Sequence, residues 1–270
     1  TDSYGNQNEY NGTTDGTNVR FDNIIPILNQ VTINSNNSWN NSWAKSGDSI
    51  QILIESSEDL YNISALIQED SASISVISLD EYDANYIFSN LNIDGMVNFE
   101  ISYSDSAGNS GESVTTTTNN SVVIFDKTAP SNFTVGDVVS TGGNIVTEVW
   151  NSTNIGVEII IPIDNDESLD SGRIQIQARI GGNSYENLGS YQFINANELD
   201  SFKTILIADS FVESIEGFSE NDMITFNANI FDIPGNMTNG NESLTELFIN
   251  QSLPIIINSN IESNFSDSSL

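Results

Sequence analysis

The chain has 270 residues, which by length alone suggests one to three domains, and it contains neither cysteine nor histidine. Those absences exclude disulfides, thiolate metal sites and Ser-His-Asp catalysis within this sequence. Acidic residues number 38 and basic residues 6, for a formal net charge of -32, so the surface would repel nucleic acid and anionic lipid and would attract cations.

The chain begins with the pattern Asp-x-x-Gly-Asn at residues 2–6, and the pattern recurs at residues 105–109 and 232–236. Each copy is followed, 18 to 21 residues later, by a proline that closes a short alternating stretch: VRFDNIIP, VIFDKTAP and LFINQSLP. Elements that recur along a chain in constant order indicate tandem homologous domains.

The next element is an alternating apolar stretch, GDSIQILIESSEDL at residues 47–60, which aligns without a gap with GVEIIIPIDNDESL at residues 156–169. Isoleucine recurs at every second position of both copies. This period of two predicts strands with one buried and one wet face. Because proline has no N–H to donate, Pro162 is expected at an edge position or a bulge.

The strand pattern continues up to the second and third copies of the motif. GMVNFEISYSDSAGN at residues 95–109 aligns with DMITFNANIFDIPGN at residues 222–236. We interpret the motif as a tight turn between two strands, in which the aspartate accepts a bond from a backbone N–H two residues on and the glycine supplies a positive φ. The segment 210–218 is the one weak helical candidate.

The offsets between matching elements drift, which indicates domains that differ in loop length. Residues 1–20 are interpreted as the C-terminal strands of a preceding Ig-like domain, 21–126 and 127–249 as whole Ig-like domains, and 250–270 as the start of a following one. Short strands in units of about 100 residues are typical of a seven-stranded sandwich. The predicted fold is therefore all-β, with tandem Ig-like β-sandwiches joined end to end.

Taken together, GDSIQI and SSEDL, FEISYSDSAGN and VIFDKTAPS resemble the Ig-like repeats of large exported surface proteins of bacteria and archaea, of the adhesin or S-layer type. The resemblance covers nearly the whole chain. It implies an extracellular location at the cell surface, neighbouring Ig-like domains of the same chain as partners, and a non-catalytic structural role. We expect the sequence to be a segment of a longer exported protein.

The role that follows has several versions. As an adhesin stalk the domains would remain monomeric, whereas in an S-layer lattice they would also self-associate laterally; surface glycans are a further partner class. The alternative is a set of spacer modules from a secreted polysaccharide-degrading enzyme. We expect no enzyme activity, no nucleic acid partner and no membrane span in this segment.

Carboxylates are the candidate metal ligands. In an Ig-like sandwich the B–C and F–G loops lie at the end where the chain enters, so their acidic residues should converge with those of the linker. Because clustered carboxylates are costly unless screened or metal-bound, we predict calcium at the domain junctions, with a solvated acidic rim as the alternative. The predicted ligands are Asp22, Glu58, Asp59 and Asp105 at the first junction, and Asp126, Asp164, Asp166, Glu167 and Asp232 at the second.

Tryptophans mark the start of both whole domains. Trp39 and Trp43 precede the first alternating strand, and Trp150 lies at the comparable place in the second domain. We expect these rings to plug the ends of the sandwiches, and a sugar-binding platform is the alternative.

Overall fold

A computed structural model describes residues 3–5, 15–17 and 21–254. The chain divides into two compact units, Thr1–Lys127 and Thr128–Leu270. Each has its own cluster of buried apolar residues. Most of the predicted flanking segment 1–20, including Asp2 and Asn6 of the first turn motif, and residues 255–270 lie outside the described part.

Within its described residues, the first unit contains ten strands. They are β1 (Leu28–Ser35), β2 (Trp43–Ala44), β3 (Ser49–Ser56), β4 (Leu60–Ile67), β5 (Asp70–Ser71), β6 (Ser73–Val76), β7 (Glu81–Ile87), β8 (Gly95–Met96), β9 (Phe99–Asp105) and β10 (Ile124–Phe125).

These strands form one four-stranded sheet in the order β1-β3-β7-β6, and two three-stranded sheets in the orders β5-β4-β9 and β2-β10-β8. The long neighbours β1, β3 and β7 pair antiparallel, whereas β2 and β10 pair parallel. Buried side chains from β3, β4, β7 and β9 share one core, so the unit has the two-layer arrangement of an Ig-like sandwich.

Up to residue 254, where the described part ends, the second unit contains nine strands and one short helix. They are β11 (Val138–Thr141), β12 (Val149–Trp150), β13 (Gly156–Ile163), β14 (Arg173–Ile180), β15 (Glu186–Phe193), β16 (Ser201–Ala208), α1 (Asp209–Val212), β17 (Met223–Phe231), β18 (Met237–Asn239) and β19 (Leu247–Ile249), with 3-10 turns at Glu167–Leu169 and Ala196–Glu198.

The second unit repeats the plan of the first. One sheet has the order β11-β13-β16, and the other has the order β12-β19-β17-β14-β15, with β18 paired to β17. Its second strand, β12, runs parallel to β19, as β2 does to β10. The all-β, Ig-like sandwich prediction is confirmed. The weak helical pattern at 210–218 yields only the single turn α1, which begins at Asp209.

The two alternating isoleucine stretches become matching central strands. In β3 the side chains of Ile50, Ile52 and Ile54 are fully buried, and in β13 the equivalent positions 159, 161 and 163 are buried as well. Their outward neighbours alternate with them, as a period of two requires. Pro162 lies past the last residue that β13 pairs with β11, so its missing N–H interrupts no ladder bond there.

The tryptophans do not occupy equivalent positions. The parallel pairings align Trp43 with Val149, and Ala44 with Trp150. Trp150 is therefore fully buried, whereas Trp43 is only half-buried. The two tryptophans at comparable places in the sequence thus differ by one residue in register, and in a strand a shift of one residue turns a side chain to the opposite face.

None of the helices among the described residues has both the length and the apolar character needed to cross a membrane.

Candidate metal centre

Three of the predicted ligands lie together in the first unit. One carboxylate oxygen from each of Asp22, Glu58 and Asp105 lies within 4.8 Å of the other two. The residues come from the segment before β1, the β3–β4 loop and the end of β9, so the fold joins positions up to 83 residues apart in sequence (105 - 22). In the described part of the chain, this is the one group of three or more such side chains.

Asp105 is positioned by the turn that it begins. Its Oδ1 accepts bonds from the backbone N–H groups of Ala107 at 2.9 Å and Asn109 at 2.8 Å, and its Oδ2 accepts one from Asn109 Nδ2 at 2.7 Å. Gly108 closes the turn with a φ of +94°. The turn mechanism inferred from the sequence is confirmed, and it holds a buried carboxylate in one orientation.

The same turn holds the entering chain. Asn109 Nδ2 also donates to the backbone oxygen of Asp22 at 3.3 Å, and Asp22 Oδ1 accepts from the N–H of Ile24 at 3.0 Å. Asn109 therefore bonds both the Asp105 carboxylate and the segment that contributes Asp22. The sequence interpretation of the turn gave this asparagine no bonding role; its recurrence in every copy of the motif was the signal for one.

Glu58 supplies the third carboxylate from the β3–β4 loop. Its neighbour Asp59 is not part of the trio, because Asp59 Oδ1 accepts a bond from the hydroxyl of Tyr82 at 3.2 Å. That hydroxyl also accepts the backbone N–H of Leu60 at 2.7 Å, and the backbone oxygen of Leu79 at 2.9 Å shares its single proton with Asp59. The buried Tyr82 ring thus fixes the loop that presents Glu58.

Glu58 and Asp105 have pKa values shifted in opposite directions. Burial raises the pKa of Glu58, and repulsion from Asp22 and Asp105 raises it further. The pKa of Asp105 is lowered, first by the Asn109 side chain and then, against the opposing effect of burial, by the backbone N–H groups of its turn. The trio therefore contains one carboxylate held in its charged form and one for which being charged is unfavourable.

Such a group has the chemistry of a calcium site. Calcium binds oxygen ligands at about 2.3 to 2.6 Å, so oxygens on opposite sides of one ion lie about 5 Å apart. Three carboxylate oxygens within 4.8 Å of one another fit that spacing. In the described residues none of the three forms an ion pair with lysine or arginine.

The predicted ligands of the second unit are arranged differently. Asp164 is exposed, and bonds from Ser131 and then from the N–H of Asn165 lower its pKa. Asp166 Oδ1 caps the 3-10 turn that contains Glu167 by accepting the N–H of Ser168 at 2.9 Å. These loop carboxylates have local structural partners.

Asp232 repeats the geometry of Asp105. Its Oδ1 accepts the N–H groups of Gly235 at 2.8 Å and Asn236 at 2.6 Å, and its Oδ2 accepts Asn236 Nδ2 at 2.8 Å. Pro234 replaces Ala107, so the bond from the second residue after the aspartate is missing here. Asp126, the last of the predicted ligands, is buried in the first unit, where its N–H donates to the backbone oxygen of Ala44.

No protein-family profile and no curated protein matches the chain. Among solved structures, domains A168-A170 of titin are similar with a TM-score of 0.42 at 10% identity, over 82% of this chain and 68% of that one. The FN1-FN3 domains of chicken CNTN1 give 0.38 at 11% identity, over 89% and 76%. The fibronectin(III)-like modules of Clostridium thermocellum CbhA give 0.35 at 13% identity, over 82% and 95%. With TM-scores below 0.5, these likenesses carry no argument of their own, and the assignment of the sandwich fold rests on the sheets described above.

Proposed function

We propose that the chain is a non-catalytic structural segment of a long exported protein, located outside the cell at its surface, in which Ig-like domains in series provide an array for assembly or adhesion. The observation that carries this proposal is the repetition of one sandwich plan in two consecutive, separately cored units. The recurrence of the turn and of the proline boundary in the sequence supports a longer series of the same kind.

Small-angle scattering of the chain tests the array. A single compact globule of this length would have a radius of gyration of about 18 Å. Domains in series should give a clearly larger value, together with a pair-distance distribution that has a shoulder at the separation of the two units. A radius near that of the globule would contradict the proposal. Labelling of intact source cells with antibodies against the chain tests surface location, and labelling only after lysis would contradict it.

We further propose that calcium binds at Asp22, Glu58 and Asp105 and stiffens the segment where the chain enters the first unit. Three carboxylates from three separate segments lie close together, which supports this proposal. The raised pKa of Glu58 also supports it, because it means that the charged form of this side chain is disfavoured. The repeat places Asp126, Glu167 and Asp232 at the corresponding positions of the sequence, and calcium there remains a prediction.

Calorimetric titration and thermal unfolding with calcium test this site. We expect heat of binding and a higher unfolding temperature of the first unit at millimolar calcium, and no such change in Glu58→Gln. Glu100→Gln, at an exposed position of β9, is the matched control and should respond like the parent chain. An unchanged unfolding temperature of the parent at millimolar calcium would refute the site.

A further inference from the structure

The outer face of the β11-β13-β16 sheet in the second unit is unusually apolar for this chain. Phe202 is 68% exposed, Leu206 63% and Val139 46%. Ile160 and Pro162 lie half-buried beside them. We call this surface the β13 face; its outward side chains are Val139, Thr141, Glu158, Ile160, Pro162, Phe202, Thr204, Leu206 and Ala208.

Strand register makes the face continuous. Pro162 lies opposite Phe202, and Ile160 lies opposite Thr204. Glu158 is flanked by Leu206 on one side and Val139 on the other. Side chains opposite one another on neighbouring strands are about 5 Å apart, so these residues form one patch.

The equivalent face of the first unit is largely polar, although Leu53 and the 69% exposed Ile87 also lie on it. The gapless alignment of the two isoleucine stretches matches Gln51 with Ile160, and the strand registers then match Asp83 with Phe202. Gln51 Nε2 donates to Asp83 Oδ2 at 3.1 Å, and Asn85 Nδ2 donates to the same atom at 2.8 Å. Glu55 and Glu81 add two more carboxylates to this face. The same sheet thus folds with a hydrogen-bonded polar surface.

The apolar character of the β13 face is therefore not a requirement of the fold. Large exposed apolar patches on soluble domains mark interaction sites. Glu158 is the one charged side chain among the outward residues of these three strands, in a chain whose net charge is -32. Two copies of so acidic a chain can approach closely only through a surface that is poor in charge, and this face meets that condition.

We infer that the β13 face binds the β13 face of a second copy of this chain. In such a pair the same apolar side chains lie on both sides of the contact, so the contact is self-complementary, as two-fold association requires. The inference deepens the proposed surface role, on which it rests, by assigning the lateral partner.

The size of the face sets the strength of the contact. Three strands spaced by about 4.8 Å, the longest with eight residues rising about 3.3 Å each, cover at most roughly 380 Å² in the plane of the sheet. A stable pair usually buries about 800 Å² per partner. One contact is therefore weak, and an array of chains that repeats it would gain strength through multivalency.

Sedimentation equilibrium of the whole chain tests the contact. The experiment covers micromolar to millimolar protein at about 0.1 and 1 M NaCl. Between these salt concentrations the screening length falls from about 10 Å to about 3 Å, which weakens the repulsion between two acidic chains. We expect reversible dimers at the higher salt concentration and markedly fewer at the lower one. Phe202→Asp should weaken dimerisation at least tenfold. Glu158→Gln should strengthen it, because two carboxylates leave the contact.

Phe193→Asp is the matched control. Phe193 is 58% exposed on β15, in the other sheet of the same unit, so dimerisation should be unchanged. Ile160→Gln is a second variant of the β13 face and should also weaken dimerisation. It provides the test if Phe202→Asp does not fold, and circular dichroism checks the folding of each variant.

Two results would overturn the inference: a monomer at every concentration and salt level, or dimers that persist in Phe202→Asp and Ile160→Gln. Scattering separates the two proposals, because an extended monomer at millimolar protein and about 1 M NaCl would contradict the lateral contact and leave the structural array intact.

Discussion

The Asp-x-x-Gly-Asn turn shows how a few residues determine local structure. Asp105 and Asp232 lie 127 residues apart (232 - 105), and each accepts two backbone N–H bonds and one asparagine bond within its own five-residue turn. Because every partner is close in sequence, this geometry could be predicted from the motif alone. The second bond of Asn109, to the entering chain, depends on contacts that the motif does not contain.

Replacing Asp232 tests the structural part of this turn. Asp232→Ala removes the acceptor of two backbone N–H groups at a fully buried position, so the free energy of unfolding of the second unit should fall by about 2 kcal/mol or more. Asp137→Ala removes an exposed carboxylate of the same unit and should change it by less than about 0.5 kcal/mol. Urea unfolding measures both, and equal values for the two variants would contradict this role.

The pKa shifts in the trio predict opposite pH effects. The lowered pKa of Asp105 means that its bonds stabilise the first unit above its unfolded value of about 3.9, and that this stability is lost as the pH falls through the lower folded value. The raised pKa of Glu58 means that its contribution to stability is present below its unfolded value, about 4.3, and is lost as the pH rises through the folded value.

Glu58→Gln separates these effects. Without calcium, the variant should unfold at a higher temperature than the parent at pH 7, and at the same temperature at pH 3, where Glu58 is protonated. The measurement is thermal unfolding of the first unit across that pH range, with Glu100→Gln expected to follow the parent. A lower unfolding temperature of Glu58→Gln at pH 7 would contradict this prediction, because it would mean that the charged Glu58 side chain stabilises the folded protein without calcium.

At the scale of elements, the sequence pattern does not reveal which face of the short strands β2 and β12 is buried. Each is the second strand of its unit and contains a tryptophan, yet Trp150 faces the core where the first unit has Ala44. Alternation within a two-residue strand is too short to reveal which face is buried. The long strands β3 and β13, with three alternating isoleucines each, left no such ambiguity.

Truncation of the two rings tests this difference. Trp150→Ala empties a large buried volume and should cost about 3 to 5 kcal/mol of the second unit's stability. Trp43→Ala, at a half-buried position, should cost the first unit about 1 kcal/mol. Chemical denaturation of both variants measures these values, and a larger loss in Trp43→Ala would reverse the assignment of core and surface.

At the scale of the whole molecule, two separate hydrophobic cores stabilise the fold. The buried apolar residues of the first unit end at Phe125, and those of the second begin at Val135, with no residue shared between the clusters. A domain with its own core and few crossing contacts can fold alone. The net charge of -32 belongs to the whole chain, and its effect on stability depends on the salt concentration, because salt screens the repulsion between like charges.

Separate expression tests this independence. Fragments 21–127 and 128–254 should each unfold cooperatively, at temperatures close to the two transitions of the whole chain. Calorimetry of the fragments and of the parent provides the comparison. A fragment without a cooperative transition would mean that its core needs the neighbouring unit.

The sequence by itself determined the strands, the tight turns and the tandem plan, because each depends on alternation or on bonds among neighbouring residues. Only the tertiary structure decided which carboxylates meet, since Asp22, Glu58 and Asp105 are brought together by strand pairing over long separations. It also decided which tryptophan is buried and which sheet face gathers exposed apolar side chains. Those outcomes depend on strand register, where a shift of a single residue exchanges the inside for the outside.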